Sequence, residues 1–458
     1  MAQVDPIARS IFEGLDWTDA SLDTITVRDD GKILPTSMPI ERIAAGVISA
    51  VGLAVSQLWF ERTGRRQTGS ISTRAAGLAL DATTYLRVDG IDIKDKDRLT
   101  GFYRARDGWV YLHGNFPHLR DGLLVMLNAT NKDELAQSVA IRAAMDIEAE
   151  AAERGLCAVA LRNRAEWQSS EQAAATALLP LIEITRIGDA PPKPMAPGRR
   201  PLSGVRVLDL SRVIAGPMIG KTLAEHGADI MLVSSPQLPS IPQLVIETGF
   251  GKRSVFIDLQ NPGGKAKLRE LIGTADIFID AYRPGTLAAK GFGVQVLSAL
   301  HPGIITVSVS AFGRTGPWRD RRGYDSLVQA AVGLNEIDER CEPKRLPCQP
   351  LDYLTGYLGA LGAMTALSRR SREGGSWHVN LSIERTAAWL WSAADRLGRA
   401  INPRGSRAPA EEIADLLMQT SSPFGEVQHT RPPLSLDETP GFWSRAPVPL
   451  GTDPAAWL

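Results

Sequence analysis

The sequence predicts an α/β protein in which an open parallel sheet, flanked by helices, is joined to a smaller α+β domain. Three observations predict it. After residue 202, short apolar strands alternate with helical segments, as parallel sheets with helical crossovers do. Before residue 188 helices and strand-like runs mix without that alternation. Between them GDAPPKPMAPGRRP (188–201) holds five prolines, the strongest linker signal in the chain. At 458 residues the chain is long enough for two or three domains with a sizeable core.

Residues 1–38 read as a lead-in with one short helix. A small-domain-like half follows at 39–187. It contains an apolar helix after Pro39 and a hairpin, GFYRARDGWVYLHGNF, turning at Asp107-Gly108. Leu119 to Ala175 is helical, broken by the buried strand GLCAVALRN (155–163). The α/β domain spans 202–400. Its strands are VRVLDL, ADIMLV, GKRSVFIDL, DIFIDAY and GIITVSVS, with a helix from Met218 to His226 and another opening at Asn261-Pro262. Ligands of such sheets sit at the carboxyl ends of strands, here SRVIAGP, YRPG and SAFGRTGP. Residues 401–458 form a closing segment, with a helix near Ala410–Gln419 and then extended chain packed across the body through Phe424, Leu434 and Trp443.

The most informative stretch is QPLDYLTGYLGALGAMTALSRRSREGGSWHVNLS, Gln349 to Ser382. Gly356, Gly359 and Gly362 leave one helix face nearly bare, open to close approach by a backbone or a ligand. Asp352 stands at its mouth, as a helix cap or as a reactive acid. A displacement of 310 residues lays Gly46 on Gly356, Gly52 on Gly362, Gly64 on Gly374 and Ser72 on Ser382. The chain therefore carries a degenerate copy of this element between Pro39 and Ser72. At the position of Asp352 the copy has Arg42, so only the second copy keeps the acid.

Composition narrows the classes. Lys+Arg 51 balances Asp+Glu 51, which argues against nucleic-acid and membrane-surface partners. Cys157, Cys341 and Cys348 build neither a disulfide framework nor a metal site, and the six histidines form no ligand pair. A cytoplasmic protein without metal is expected. The N-terminal residues lack a signal-peptide layout, and the apolar run Ala44–Phe60, interrupted by Ser49, Ser56 and Gln57, reads as a buried helix.

The segments PLSGVRVLDLSRVIAGPMIGKTLAEHGADI, GKRSVFIDLQNPGGKAKLRELIGTADIFIDAYRPG and HPGIITVSVSAFGRTGPWRDRRGYDS closely resemble the class III CoA-transferase family, from Pro201 to about Leu390. The N-terminal half resembles that family's second half, so the modules stand in a rearranged or partly duplicated order. The resemblance implies a nucleotide-binding-type sheet and an interlocked homodimer. It implies that CoA passes from an acyl-CoA to a carboxylic acid, with no permanently bound cofactor. Asp352 would be the nucleophile, through an aspartyl anhydride and an aspartyl-CoA thioester. By position, Val213, Ile214, Ala215, Lys252, Arg253, Tyr282, Arg283, Ser310 and Phe312 would contact CoA. The chain departs from the family at Ser234-Ser235, where an acid is usual, and at Ala281, where asparagine is common. The racemase branch uses a histidine where this chain has Tyr324, in Gly323-Tyr324-Asp325, which disfavours racemisation. A non-catalytic CoA-binding or partner-subunit protein of the same fold is the alternative. A nicotinamide-dependent oxidoreductase is disfavoured because SRVIAGP replaces G-x-G-x-x-G.

Overall fold

The computed structural model describes residues 4–15, 25–94, 99–400 and 403–457. Its centre is a seven-stranded sheet of β1 (Glu183–Gly188), β2 (Arg206–Leu210), β3 (Asp229–Ser234), β4 (Lys252–Phe256), β5 (Ile277–Asp280), β6 (Ile305–Ser310) and β7 (Ser376–Ser382). The spatial order is β4-β3-β2-β5-β6-β7-β1, and every pair is parallel except β7 with β1. Helices cover both faces, so the inner strands are apolar runs such as Ile277–Phe278–Ile279, all fully buried. The strand β1 was not foreseen. It enters the large sheet antiparallel before the proline-rich stretch, so the chain crosses between its halves earlier than the prolines signal. The stretch itself is pinned: Lys193 pairs with Asp276 at 2.7 Å, and Arg62 donates to the carbonyls of Pro201 and Ser203.

Five helices matter for the site: α1 (Ile40–Thr63), α2 (Ala215–Glu225), α3 (Asp325–Val332), α4 (Pro350–Glu373) and α5 (Ile383–Leu397). Almost all of α4 is buried, against α1, α2 and β7. Its glycine face is occupied by protein. A Cβ at Gly356 would lie 2.4 Å from Met218 Cβ, and one at Gly359 2.6 Å from Ile219 Cδ1. The bare face therefore serves helix packing and not a ligand.

The internal copy is structural. Helices α1 and α4 both run 24 residues and end at glycines in positive φ, Gly64 and Gly374. Each is followed by a strand whose last serine caps the next helix, Ser72 onto the Ala75 amide and Ser382 onto that of Arg385. The helix α1 is long and apolar enough to cross a membrane, yet 94% of its most apolar window is buried inside the protein. Arg42, in the position of the acid, is ion-paired with Asp5, which caps the helix Pro6–Glu13.

In the N-terminal half Gly101–Arg104 and Trp109–Leu112 form the expected hairpin, and Ala158–Ala160, within the stretch read as a buried strand, pairs onto it antiparallel. The tail does cross the body, with Leu434–Leu436 paired on Gly69–Ser72 and Trp443 Nε1 donating to Lys221 O. One expectation fails locally. Residues 410–419 are not an α-helix but a 3₁₀ segment, Ala410–Leu416, running into the strand Leu417–Ser422. That strand's pairing with Gly425–Thr430 overrides local helix propensity.

Candidate active site

Strand order reverses direction between β2 and β5: β3 and β4 lie to one side, β6 and β7 to the other. Loops diverge from such a point and leave a crevice at the carboxyl ends of the strands. A cavity of about 500 Å³ opens there. The loops after β2, β3, β4, β5 and β6 line it, and the first turns of α4 and α5 close its side through Asp352 and Ile383. Val213 enters it with φ 72°, unusual for a β-branched residue, and backbone strain of this kind, worth about 1–3 kcal/mol, gathers at functional sites.

Asp352 is 4% exposed and lies in the first turn of α4, not before it. It caps nothing. The capping is done by Asp325, whose carboxylate accepts from the amides of Leu351 and Asp352 at 2.7 and 2.9 Å. Burial, and then the neighbouring Asp325, pushes the Asp352 carboxyl well above the ordinary aspartate range. Burial pushes Asp325 up to about 6, against the lowering pull of those amides and of Gln329. An acid with a higher folded than unfolded pKa favours folding while protonated. That contribution is present below about pH 4 and is lost as pH rises through the folded value. Asp352→Asn should therefore be more stable than wild type at pH 8 by roughly 1–2 kcal/mol. Denaturant titrations should find the advantage shrinking toward pH 4.

Of the residues assigned to CoA by resemblance, Val213, Ile214, Ala215, Tyr282, Arg283 and Ser310 line the cavity with Asp352. Lys252, Arg253 and Phe312 are placed elsewhere. Lys252 is buried on Asp209 (2.7 Å) and the Pro217 carbonyl, and Arg253 is held by both oxygens of Asp229 at 2.7 Å. Both begin β4, whereas the cavity lies beyond its far end, at roughly 3.3 Å per residue. Phe312 turns inward and meets Trp318 edge-on at 5.0 Å. The departures do face the cavity, since Ser234, Ser235 and Ala281 all line it.

Several lining residues had no signal in the sequence. Phe116 and His118 come from the N-terminal half, just past its hairpin, and His113 stacks on Tyr324 with ring centroids 4.0 Å apart. Arg322 donates to His118 Nε2 at 3.1 Å across the two halves, and Arg212 lies over the Phe116 ring. Among the described residues none of Arg212, Arg283, Lys290 and Arg322, all on the cavity wall, forms an ion pair. Burial, followed by Arg322 and Arg212, lowers the His118 pKa, so the imidazole accepts as a neutral group.

Residues 202–416 match the model of CoA-transferase family III. The acetyl-coenzyme A transferase nodX of Hypoxylon pulicicidum is 34% identical over 49% of this chain and 41% of its own length. The succinyl-CoA–D-citramalate CoA-transferase of Chloroflexus aurantiacus is 35% identical over 40% of this chain and 49% of its own. An acyl-CoA transferase of Gibberella moniliformis is 27% identical over 78% and 71%. The chain thus spans about half the length of the first two. Among solved structures, a hypothetical protein (Rv3272) of Mycobacterium tuberculosis aligns over 43% of this chain and 59% of its own, at 30% identity and TM-score 0.41.

Proposed function

Since residues 202–416 match the model of CoA-transferase family III, we propose that the chain is a member that moves CoA from an acyl-CoA to a carboxylic acid by way of Asp352. The observation that carries this reading is a buried carboxyl facing a cavity of about 500 Å³ whose wall holds Arg212, Arg283, Lys290 and Arg322, none ion-paired among the described residues. Arginines and a lysine with no carboxylate beside them suit the phosphates of CoA.

The steps balance as follows. Ionised Asp352 attacks the thioester carbonyl, the C–S bond breaks, and a mixed anhydride and CoA thiolate result. The thiolate attacks the aspartyl carbonyl and releases the donor acid, leaving an aspartyl-CoA thioester. The acceptor carboxylate attacks that thioester, re-forming an anhydride and thiolate. Attack of the thiolate on the acceptor's carbonyl gives the new acyl-CoA and returns Asp352. Each oxyanion needs donors, and Tyr324, whose hydroxyl burial keeps protonated, lines the same cavity as Asp352. A cytoplasmic homodimer accompanies this reading, and light scattering tests its mass.

Trapping tests the chemistry. With acetyl-CoA, succinyl-CoA or a longer acyl-CoA, hydroxylamine should convert Asp352 to a hydroxamate found by peptide mass spectrometry. Label in no donor, with CoA still bound, would favour the non-catalytic alternative. Arg283→Ala should weaken CoA binding by about tenfold in calorimetry, one charge-assisted contact being lost. Lys252→Met should act through stability instead, because it strands Asp209.

A further inference from the structure

Helix α4 begins at Pro350, and Gln349 before it offers no side-chain cap. Its first amides are instead taken by Asp325, the first residue of α3 and 2% exposed. One oxygen of Asp325 accepts from both Leu351 and Asp352. The other accepts from Gln329, fully buried one turn along α3, whose own amide oxygen accepts from Leu346 at 3.0 Å. Three segments, α3, the stretch at Leu346 and the first turn of α4, thus meet on a buried carboxylate and a buried amide. Asp352 is held by its own backbone, and its side chain is released from the capping that an acid in a first turn usually performs.

We infer that Asp325 is a positioning residue for Asp352, fixing the first turn of α4 so that the Asp352 carboxyl faces the cavity and stands next to a second carboxylate. This inference rests on the nucleophilic reading of Asp352. When both carboxyls are ionised they repel, and acylation of Asp352 removes that repulsion. The charged and titratable groups around the pair are few: Arg345 on the approach to α4, Tyr324 before α3, and Cys348, which also feels Asp81 and Glu41. Of these only Arg345 carries a positive charge onto Asp325.

The test uses Asp325→Asn and Asp325→Ala in the full chain. Asp325→Asn keeps an acceptor for the two amides but removes the charge. It should shift the acid limb of the kcat/KM–pH profile downward by about one unit and lower kcat about tenfold. KM for the acyl-CoA should stay within about threefold. Asp325→Ala should lower kcat further at the same KM. An unmoved acid limb, with activity falling only in step with folded protein, would make Asp325 a structural cap and overturn the inference. A readout independent of turnover separates this from failure of the transferase reading. The Asp352 carboxyl is titrated by infrared difference spectroscopy against Asp352→Asn, and its pKa should fall in Asp325→Asn whether or not the protein transfers CoA. No fall there rejects the role of Asp325 by itself.

Discussion

Asp352→Ala is expected to lower CoA transfer by at least roughly 10³-fold while CoA binding changes less than about threefold. The asymmetry follows from geometry: Asp352 closes one side of the cavity, whereas Arg212, Arg283, Lys290 and Arg322 are spread along its wall. Removing the nucleophile deletes the covalent route but spares the contacts that hold a phosphorylated ligand. Steady-state transfer between two acids and calorimetric CoA titration measure the two halves of the statement. Retention of more than about a tenth of wild-type turnover would remove Asp352 from the chemistry. Arg42→Ala is the internal control. It alters the corresponding residue of the copy, which is tied to Asp5, and should leave turnover unchanged.

Gly356→Leu is expected to carry the largest loss of stability, roughly 3 kcal/mol or more. Its Cβ alone would sit 2.4 Å from Met218 Cβ and 3.0 Å from the Ala215 carbonyl oxygen. Neither can retreat easily, because α2 is wedged between α4 and the sheet and Ala215 begins at the cavity wall. Chemical denaturation should register the loss, and surviving protein should bind CoA more weakly because the SRVIAGP loop moves with α2. Gly405→Ala, where a Cβ meets nothing within 4 Å, should stay within about 0.5 kcal/mol of wild type. Equal effects at the two glycines would contradict the packing described for α4.

How much of the site was legible depends on the range of the interaction that makes each part. Strands β2 to β6, five of the six parallel strands after residue 202, were readable because alternation of apolar strand and helix is a local pattern. The copy of α4 was readable because residues 310 apart repeat the same glycines and the same capping serine. Strand β1 was not, since an edge strand with one exposed side carries little apolar signal. Lys252 and Arg253 illustrate a related failure: position in a motif does not tell which end of a strand reaches the crevice.

Asp325 was visible in Gly323-Tyr324-Asp325, but a cap supplied from 26 residues upstream leaves no trace in local spacing. Phe116, His118 and Arg322 meet only because the two halves fold onto one another. The amino-acid sequence by itself determined the strand–helix alternation, the duplicated helix and the single acid at its mouth, all written in short-range pattern. Only the tertiary structure decided that the glycine face holds a helix, that Asp352 faces a cavity and not its own helix end, and that the N-terminal half walls that cavity. Those outcomes rest on contacts between residues far apart in the chain, whose energies no local window contains.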